Sequence, residues 1–283
     1  MPDASAPVWR LRTRSLLLDR PILIGVVNVT PDSFSDGGLH TAPAAAIDHG
    51  LALAEAGADV VDVGGESTRP GSEGVPAQVE RERVLPVITA LAGEGLTVSV
   101  DTTKSEVAKA ALDAGAEIVN DVSAGADTDM LALVARTEAA VVLMHMQGTP
   151  RTMQDDPRYR DVVVEVRDFL VDRASVAEQE GVDRSRIVID PGIGFGKTVD
   201  HNLQLLRCLG ELVVTGYPVL VGSSRKAFLG RLTGIVEAAD RDQPTAASTA
   251  LAIAAGAAAV RVHDVRSSRI AADIAWAVSR SRI

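Results

Sequence analysis

The chain has 283 residues and a formal net charge of −10, with 46% hydrophobic and 23% charged residues. A nucleic acid or an anionic membrane as the main partner would call for a clustered positive excess, so this balance disfavours both. The composition is that of a globular protein, and a single barrel of alternating strands and helices commonly takes roughly 250 residues. Cys208 is the only cysteine. This excludes an internal disulfide and a multi-thiol metal site, and it fits a reducing cytoplasm.

The segment of residues 1–21 precedes the first predicted strand. Arg10, Arg12 and Arg14 interrupt it, so it lacks the uncharged apolar core of a secretory signal. We expect it to form a hairpin that plugs the bottom of the fold. The longest apolar run, residues 250–260, is much shorter than the roughly 20 residues that cross a bilayer. The sequence therefore predicts a cytoplasmic protein with no membrane partner.

Short runs rich in β-branched residues alternate with longer runs rich in Ala, Leu and Glu from residue 22 onward. This alternation predicts repeated strand and helix units. Most of the short runs are apolar almost to their last residues, as parallel strands covered on both faces require. There are eight, and they begin at Ile22, Asp59, Thr97, Glu117, Ala140, Ile187, Pro218 and Ala258. We therefore expect an α/β fold, a single (β/α)8 TIM barrel over residues 22–283.

Polar side chains stand where most of the predicted strands end, and reacting groups of such barrels lie at these carboxyl ends. They are Asn28, Asp101, Asn120, Asp121, Asp190, Ser223 to Lys226, Arg261, His263 and Asp264. Residues two apart share one face of a strand, so Arg261 and His263 converge with the others if that face points inward. For Asp121, Ser223 or Asp264 alone, a turn or a helix cap is the favoured interpretation.

Three carboxylates belong to predicted strands, where burial makes their role informative. Asp101 and Asp190 end very apolar strands, where a buried carboxylate without donors is costly. We expect both to accept hydrogen bonds from a ligand, such as its ring N–H groups. Asp62 lies in the middle of its strand. It is either a group of the site or a buried structural carboxylate paired with a basic side chain.

Five basic side chains gather at the predicted mouth of this acidic chain: Arg69, Arg225, Lys226, Arg261 and His263. An arginine fork matches the oxygens of phosphate, so a phosphate or a pyrophosphate is the natural ligand. The same side chains would neutralise the neighbouring carboxylates when no ligand is bound. Both interpretations can hold together.

The glycine-rich segment IDPGIGFGKT, from Ile189 to Thr198, matches neither of two familiar motifs. A phosphate loop needs four residues between its first glycine and the Gly-Lys pair, and Gly192 is followed by only three. A dinucleotide fingerprint needs a different glycine spacing and a later acidic residue. We interpret the segment as a tight turn that folds Phe195 across the pocket beside Asp190.

Several segments resemble the signature segments of the dihydropteroate synthases of folate biosynthesis. NVTPDSFSDGG, from Asn28 to Gly38, and VDVGGESTRPGS, from Val61 to Ser72, resemble the two family signatures in order and without insertion. SVDT, NDVS, MHMQGTPRTMQ, DPGIGFGKT, GSSRK and RVHDV resemble later family segments. The resemblance implies a transferase that condenses 6-hydroxymethyl-7,8-dihydropterin pyrophosphate with p-aminobenzoate to give 7,8-dihydropteroate and pyrophosphate. It also implies Mg²⁺ as the cofactor, a homodimer, and inhibition by sulfonamides.

The resemblance assigns residues to each ligand. The pterin pocket would comprise Asp101, Asn120, Val122, Met144, Asp190, Phe195, Gly222 and Lys226. Pyrophosphate would contact Asn28, Arg69, Arg261 and His263, with the metal held by Asn28. p-Aminobenzoate would contact Phe34, Thr68, Pro70, Lys226 and Ala227, in a site completed by two long loops. The catalytic residues would be Asp32, Arg69, Asp101 and Lys226.

Ala227 departs from the family pattern, since many members have a serine there that helps to hold the carboxylate of p-aminobenzoate. Backbone N–H groups would have to receive that carboxylate instead, and we expect activity to be retained. Two alternatives stay open from the sequence: a pterin-dependent methyltransferase on the same barrel and a non-catalytic pterin-binding paralogue. Arg261 and His263 argue against the methyltransferase, which has no need of a pyrophosphate site.

Overall fold

A parallel sheet of eight strands forms the centre of the computed structural model, which describes residues 7–30, 41–69 and 71–281. The strands are β3 (Ile22–Asn28), β4 (Val60–Gly64), β5 (Val98–Asp101), β6 (Ile118–Asp121), β7 (Ala140–Met144), β8 (Ile187–Asp190), β9 (Leu220–Val221) and β10 (Ala259–Val262). Their order is β8-β7-β6-β5-β4-β3-β10-β9. A parallel bridge between Ile189 and Val219 links the two ends of this series. The predicted (β/α)8 barrel is confirmed.

Helices of the described residues follow the strands and surround the barrel. They are α1 (Thr41–Glu55), α2 (Ala77–Gly93), α3 (Ser105–Asp113), α4 (Met130–Thr137), α5 (Val162–Gln179), α6 (Val199–Arg207), α7 (Gly210–Val213), α8 (Ala227–Thr233), α9 (Asp242–Ala254) and α10 (Val265–Arg280). Gly57 and Gly115 follow α1 and α3 with φ of +104° and +109°. Glycine adopts this left-handed conformation without strain, and it ends both helices where the sequence predicts.

Alternation along the strands divides the buried apolar residues into two layers. Residues such as Leu23, Val61 and Ile189 point outward and pack beneath the helices. Ile24 and Val188 belong to a second cluster inside the barrel. None of the helices in the described ranges combines the length and apolar character needed to cross a membrane.

An antiparallel hairpin closes the bottom of the barrel. Its strands are β1 (Val8–Arg10) and β2 (Ser15–Leu17). Trp9 is fully buried in the inner cluster, and its indole N–H donates to the backbone oxygen of Arg186 at 3.2 Å. The amino ends of the strands are therefore covered by protein, and the carboxyl ends are left for a ligand.

Candidate active site at the carboxyl end of the barrel

Register between the strands brings the predicted polar residues together at one mouth. Asp101 pairs with Asn120 across β5 and β6, and Met144 pairs with Asp190 across β7 and β8. Asn28 ends β3 opposite Gly64. Because neighbouring parallel strands run in the same direction, these side chains lie at the same level of the barrel.

Arg261 lies at the centre of a buried cluster of charges. Its Nε donates to Oδ2 of Asp62 and its Nη2 donates to Oδ2 of Asp101, both at 2.7 Å. Asn120 Nδ2 donates to the same Asp62 oxygen at 3.0 Å. Asp62 is fully buried. Asp62 is therefore a buried partner of Arg261, which was one of the two interpretations that the sequence left open. The pairing of basic side chains at the mouth with neighbouring carboxylates is also observed.

Burial alters the proton affinity of both strand-end carboxylates. It raises the pKa of Asp101, while the nearby charge of Arg261 opposes the rise. It also raises the pKa of Asp190 to about 6, against the opposing hydrogen bond from the backbone N–H of Gly192 at 2.7 Å. Desolvated carboxylates of this kind favour a ligand that donates hydrogen bonds to them.

Lys226 approaches the same pocket from the start of α8. Its Nζ lies 3.8 Å from the centroid of the Phe195 ring. Burial lowers the pKa of Lys226 to about 8, and the positive charge of Arg261 adds to the effect. Gly222 lies beside Asp190 and Arg261, since a Cβ added there would be 3.8 Å from Asp190 Oδ2 and 3.9 Å from Cβ of Arg261. Lys226 and Asp190 therefore provide a donor and an acceptor at the pocket.

An apolar wall completes the pocket. Val122, Met144 and Phe195 form one buried cluster together with Met153, and Met146 packs against it. Sequence reasoning missed Met153, which lies in the long segment between β7 and α5. The only available signal was its place in the MHMQGTPRTMQ segment. The wall suits a flat ring between the polar groups of Asp190 and Asn120.

The glycine-rich segment after β8 forms the predicted tight turn. The N–H of Phe195 donates to the oxygen of Gly192 at 3.0 Å. Gly192 has a φ of +65°, and a Cβ there would lie 1.9 Å from the backbone oxygen of His145. Only glycine fits this close approach. The turn is thereby pressed against the end of β7, and it carries Phe195 into the pocket.

A buried lysine that the sequence analysis missed supports this turn from behind. Lys197 Nζ donates to the backbone oxygen of Phe195 at 2.9 Å and lies 2.9 Å from Nδ1 of His145. Burial lowers the pKa of Lys197 to about 7. His145 packs edge-on against Phe169 of α5, so it faces the helices. Lys197 had no sequence signal beyond its place in a rejected motif.

His263 is held in one protonation form by Ser224. The Oγ of Ser224 accepts from the backbone N–H of His263 at 3.1 Å and lies 2.9 Å from its Nδ1. A hydroxyl that donates to Nδ1 would leave the proton of the neutral ring on Nε2. Burial, reinforced by the charge of Arg261, lowers the pKa of His263 to about 3. His263 is therefore a neutral hydrogen-bond donor at the mouth.

Arg225 lies within electrostatic reach of His263, as the sequence predicts, but its guanidinium is paired with a carboxylate. Its Nε and Nη2 donate to the two carboxylate oxygens of Asp242 at 2.6 and 2.7 Å. Arg225 has a φ of +58°, and its side chain points toward α9, which begins at Asp242. The side chain of the next residue, Lys226, points into the pocket instead. The one-residue offset between the two basic side chains decides which of them reaches the pocket.

Three strand-end residues have the structural roles favoured for them. Asp121 accepts from the N–H groups of Ser123 and Gly125 in a turn. Asp264 caps α10, and Ser223 Oγ lies 2.8 Å from Ser248 Oγ. None of these arrangements needs a ligand.

The loop of residues 65–76, between β4 and α2, brings a further cation to the mouth. The charge of Arg69 contributes to lowering the pKa of both Lys226 and His263, so Arg69 lies within electrostatic reach of both. Thr68 is half-buried beside it, and Ala227 is the exposed first residue of α8. The predicted site residues Asp32, Phe34 and Pro70 lie outside the described residues.

Comparison with known proteins places the chain among enzymes that bind pterins. The family model for "Pterin binding enzyme" matches residues 24–263. Dihydropteroate synthase of Mycobacterium leprae is 53% identical over 253 residues, which cover 87% of this chain and 89% of that protein. The Escherichia coli K12 enzyme of the same name is 43% identical over 253 residues, with 89% of each chain covered.

Solved structures give the same assignment. Dihydropteroate synthase of Xanthomonas albilineans with 4-aminobenzoic acid superposes with a TM-score of 0.92 at 48% identity, over 98% of this chain and 100% of that one. The complex of the X. albilineans enzyme with 7,8-dihydropteroate gives a TM-score of 0.89 at 46% identity, with the same coverage.

Proposed function

We infer that this chain, which belongs to the pterin binding enzyme family and within it to the dihydropteroate synthases, uses the mouth of its barrel to join a dihydropterin to p-aminobenzoate. The transferred group is the pterinylmethyl group of 6-hydroxymethyl-7,8-dihydropterin pyrophosphate, and pyrophosphate is released. The observation that carries the residue assignment is the convergence of Asp101, Asp190, Lys226 and Arg261 around one apolar wall.

The pterin ring would lie deep in this pocket. Its amino-pyrimidinone edge has N–H donors for the carboxylate of Asp190, and its ring acceptors face the ammonium of Lys226. Asn120 complements the remaining edge. Met144 and Phe195 would contact the faces of the ring, since both belong to the apolar wall.

The pyrophosphate would lie nearer the opening. Arg261 keeps donors beyond those used by Asp62 and Asp101, because a guanidinium has five N–H groups. His263 offers its Nε2 proton, and Arg69 adds a positive charge. These groups stabilise the negative charge that grows on the leaving oxygen as the C–O bond breaks.

Mg²⁺ is proposed as the cofactor, held by Asn28 at the end of β3. Among the described residues there is no cluster of three or more His, Cys, Asp or Glu side chains that would bind a metal alone. An amide oxygen is a hard donor, and Mg²⁺ commonly takes few protein ligands together with phosphate oxygens. Asn28 therefore fits the ion together with pyrophosphate oxygens. Bound Mg²⁺ would add positive charge beside the leaving group.

The carbon–nitrogen bond forms after pyrophosphate departs. The amine of p-aminobenzoate attacks the pterin methylene carbon, which is left as a resonance-stabilised cation, and then loses a proton. The carboxylate of Asp101 stabilises this cation electrostatically. No protein nucleophile takes part. p-Aminobenzoate would lie between Lys226, Ala227 and the loop that bears Thr68 and Arg69, with its carboxylate near the backbone N–H groups at the start of α8.

An assay that measures both products of the reaction tests the proposal. Purified protein is incubated with the pterin pyrophosphate, p-aminobenzoate and Mg²⁺, and dihydropteroate and pyrophosphate are measured separately. Equal amounts of the two products are expected, with no dihydropteroate when either substrate is omitted. Lys109→Met, an exposed change on α3, should leave the rate unchanged. Pterin binding without any product would favour the non-catalytic paralogue instead.

We also propose that two copies of the chain associate through α9 and α10. Ile270, Ile274 and Val278 are spaced four residues apart on α10 and are 59 to 68% exposed, and Leu251 on the neighbouring α9 is 67% exposed. An apolar stripe of this kind is costly in water unless it is covered. Ile274→Glu should shift the mass measured by light scattering from that of two chains to that of one.

The cytoplasm is the proposed location. The single thiol of Cys208, which leaves no internal pair for a disulfide, supports this assignment. Fractionation of cells that express the tagged chain tests it, with a cytoplasmic enzyme as the reference.

A further inference from the structure

The loop of residues 65–76 is closed at its neck. Glu66 Oε2 accepts from the N–H of Val75 at 2.9 Å, which joins the two ends of the loop. Within the loop, Ser72 Oγ donates to the oxygen of Ser67 at 2.6 Å. Near its tip, the N–H of Gly71 donates to the oxygen of Pro150 at 3.0 Å. The loop is therefore closed at its root, Glu66, and is held a second time at Gly71 by the hydrogen bond to Pro150.

Lys104 fixes this root to the rest of the barrel. Its Nζ donates to Glu66 Oε2 at 2.5 Å and to Glu80 Oε2 at 2.6 Å. Glu80 is fully buried on α2, and Lys104 caps α3, three residues after Asp101. Partial burial acts to lower the pKa of Lys104, but the hydrogen bonds to the two carboxylates outweigh it and raise that pKa. The three side chains form one bridge between β4, α2 and α3, which we name the neck clamp: Glu66, Glu80 and Lys104.

Backbone packing beside the clamp leaves little room for movement. A Cβ at Gly65 would lie 2.8 Å from Cγ1 of Val84 and 3.1 Å from Cγ of Glu80. Arg83 Nη1 donates to the oxygen of Gly65 at 2.8 Å. The residue before Glu66 is thus pressed against α2, while the residues after Glu66 project toward the mouth.

Arg69 is only three residues beyond this root. Its charge acts on Lys226 and His263, both of which belong to the pocket. A small rotation about Glu66 would displace Arg69 relative to those two groups, because nothing between the clamp and Arg69 belongs to a helix or a strand. The position of the root therefore sets the position of the cation.

We propose that Lys104 is a positioning residue, which holds the loop root through Glu66 and Glu80 so that Thr68 and Arg69 meet the amine substrate in a fixed geometry. This role rests on the proposed function. Lys104 touches neither the pterin pocket nor the pyrophosphate groups in the described structure. We therefore expect the clamp to act mainly on the second substrate, since its one link to the pterin pocket in the described structure is the effect of the Glu80 charge on Asp101.

Lys104→Met tests the proposal by separating the two substrates. The KM for p-aminobenzoate should rise by roughly tenfold to a hundredfold, as expected when a reacting partner is misplaced by about an ångström. The affinity for 6-hydroxymethylpterin, measured by calorimetry, should stay within about twofold of the wild-type value, since its pocket is intact. Lys104→Arg retains a cation that bridges two carboxylates, so its KM for p-aminobenzoate should stay close to the wild-type value. Lys109→Met, on the same helix but exposed, is the matched control.

A second measurement does not depend on turnover. In Lys104→Met, amide hydrogen exchange of residues 66–75 should accelerate, while exchange in β5 and β6 stays unchanged. Should the variant fail to fold, Glu66→Gln keeps an acceptor for Val75 but removes the charge. It should then show the same pattern to a smaller degree.

The outcomes separate this inference from the function on which it rests. Unchanged exchange in the loop overturns the clamp, whatever the activity. Equal losses for both substrates overturn it too, since they indicate a general structural role. Absence of product from the wild-type protein overturns the proposed function, and unaltered exchange of the loop would still decide against the clamp.

Discussion

Arg261 and Asp101 hold one another across the mouth of the barrel, with 2.7 Å between Nη2 and Oδ2. The two residues lie 160 positions apart, on β10 and β5. Asp62 on β4 accepts a hydrogen bond from Nε of the same guanidinium at 2.7 Å. One cation therefore forms hydrogen bonds to two carboxylates. A ligand with phosphate oxygens must share this guanidinium with both of them.

Loss of this cation should destabilise the fold as well as the site. Arg261→Met leaves Asp62 buried without its partner, and removal of one member of a buried ion pair typically costs about 3 to 5 kcal/mol. The free energy of unfolding, measured in urea, should fall by about that amount. Asp62→Asn in the same chain removes one uncompensated charge, so the double variant should recover part of the loss. Strict additivity of the two changes would contradict the pairing.

Affinity for the pterin ring should depend on pH through Asp190 and Lys226. The pKa of Asp190 is raised to about 6, so below that pH the carboxyl is protonated and accepts fewer hydrogen bonds. The pKa of Lys226 is lowered to about 8, so above that pH its ammonium loses a donor. Calorimetry with 6-hydroxymethylpterin should give its tightest binding between these values. Burial also raises the pKa of Asp101 to about 7, and this carboxyl lies in the same pocket. Asp190→Asn should therefore weaken binding and reduce the acidic decline, with the remainder due to Asp101, whereas a flat profile in the wild-type chain would remove Asp190 from the pocket.

Pyrophosphate recognition should depend on which nitrogen of His263 bears the proton. Ser224 Oγ lies 2.9 Å from Nδ1, and we expect it to donate there and so to leave the ring proton on Nε2. The amide N–H of glutamine imitates an Nε2 donor, whereas asparagine places its amide nearer to Nδ1, so His263→Gln should retain more affinity than His263→Asn. Loss of one hydrogen bond to a charged group costs about 1.5 to 3 kcal/mol, or roughly tenfold to a hundredfold in affinity. Competition by inorganic pyrophosphate against the substrate measures this difference. Equal losses would mean that His263 acts through its size alone.

Gly192 should tolerate no side chain. A Cβ there would meet the backbone oxygen of His145 at 1.9 Å, and the φ of +65° is unfavourable for other residues. Gly95 has a φ of +78° with open space around it, which makes Gly95→Ala a matched control for backbone strain. Gly95→Ala should cost about 1 to 2 kcal/mol. Gly192→Ala should cost more and should also weaken pterin binding, because the turn that carries Phe195 has to move. Equal destabilisation with unchanged pterin affinity would contradict this.

The barrel was predictable because most strands are buried on both faces and so read as nearly continuous apolar runs. Asp101 and Asp190 stood out because they break such runs at the end where ligands bind. Arg225 could not be told from Lys226, since one residue of chain decides which side chain enters the pocket. Lys197 and Lys104 could not be assigned from sequence at all. Lys104 contacts carboxylates 24 and 38 positions away, and Lys197 contacts an imidazole 52 positions away. Local spacing contains no information about such contacts.

The amine substrate should bind only after the pterin and pyrophosphate sites are filled. Arg69 lies on a loop at the opening, above a pocket built from the rigid strands of the barrel. If p-aminobenzoate contacts that loop and the bound pyrophosphate, a chain without pyrophosphate presents only part of the p-aminobenzoate site. A ligand binds weakly when the binding-competent form of the protein is scarce.

p-Aminobenzoate or a sulfonamide is titrated into the protein alone, and then into protein with pterin, pyrophosphate and Mg²⁺. Affinity should rise at least roughly tenfold in the second titration, which corresponds to 1.4 kcal/mol of added binding free energy. Lys109→Met should respond as the wild-type chain does. Equal affinity in both titrations would mean that the site is already formed, and the ordered assembly of the mouth would have to be given up.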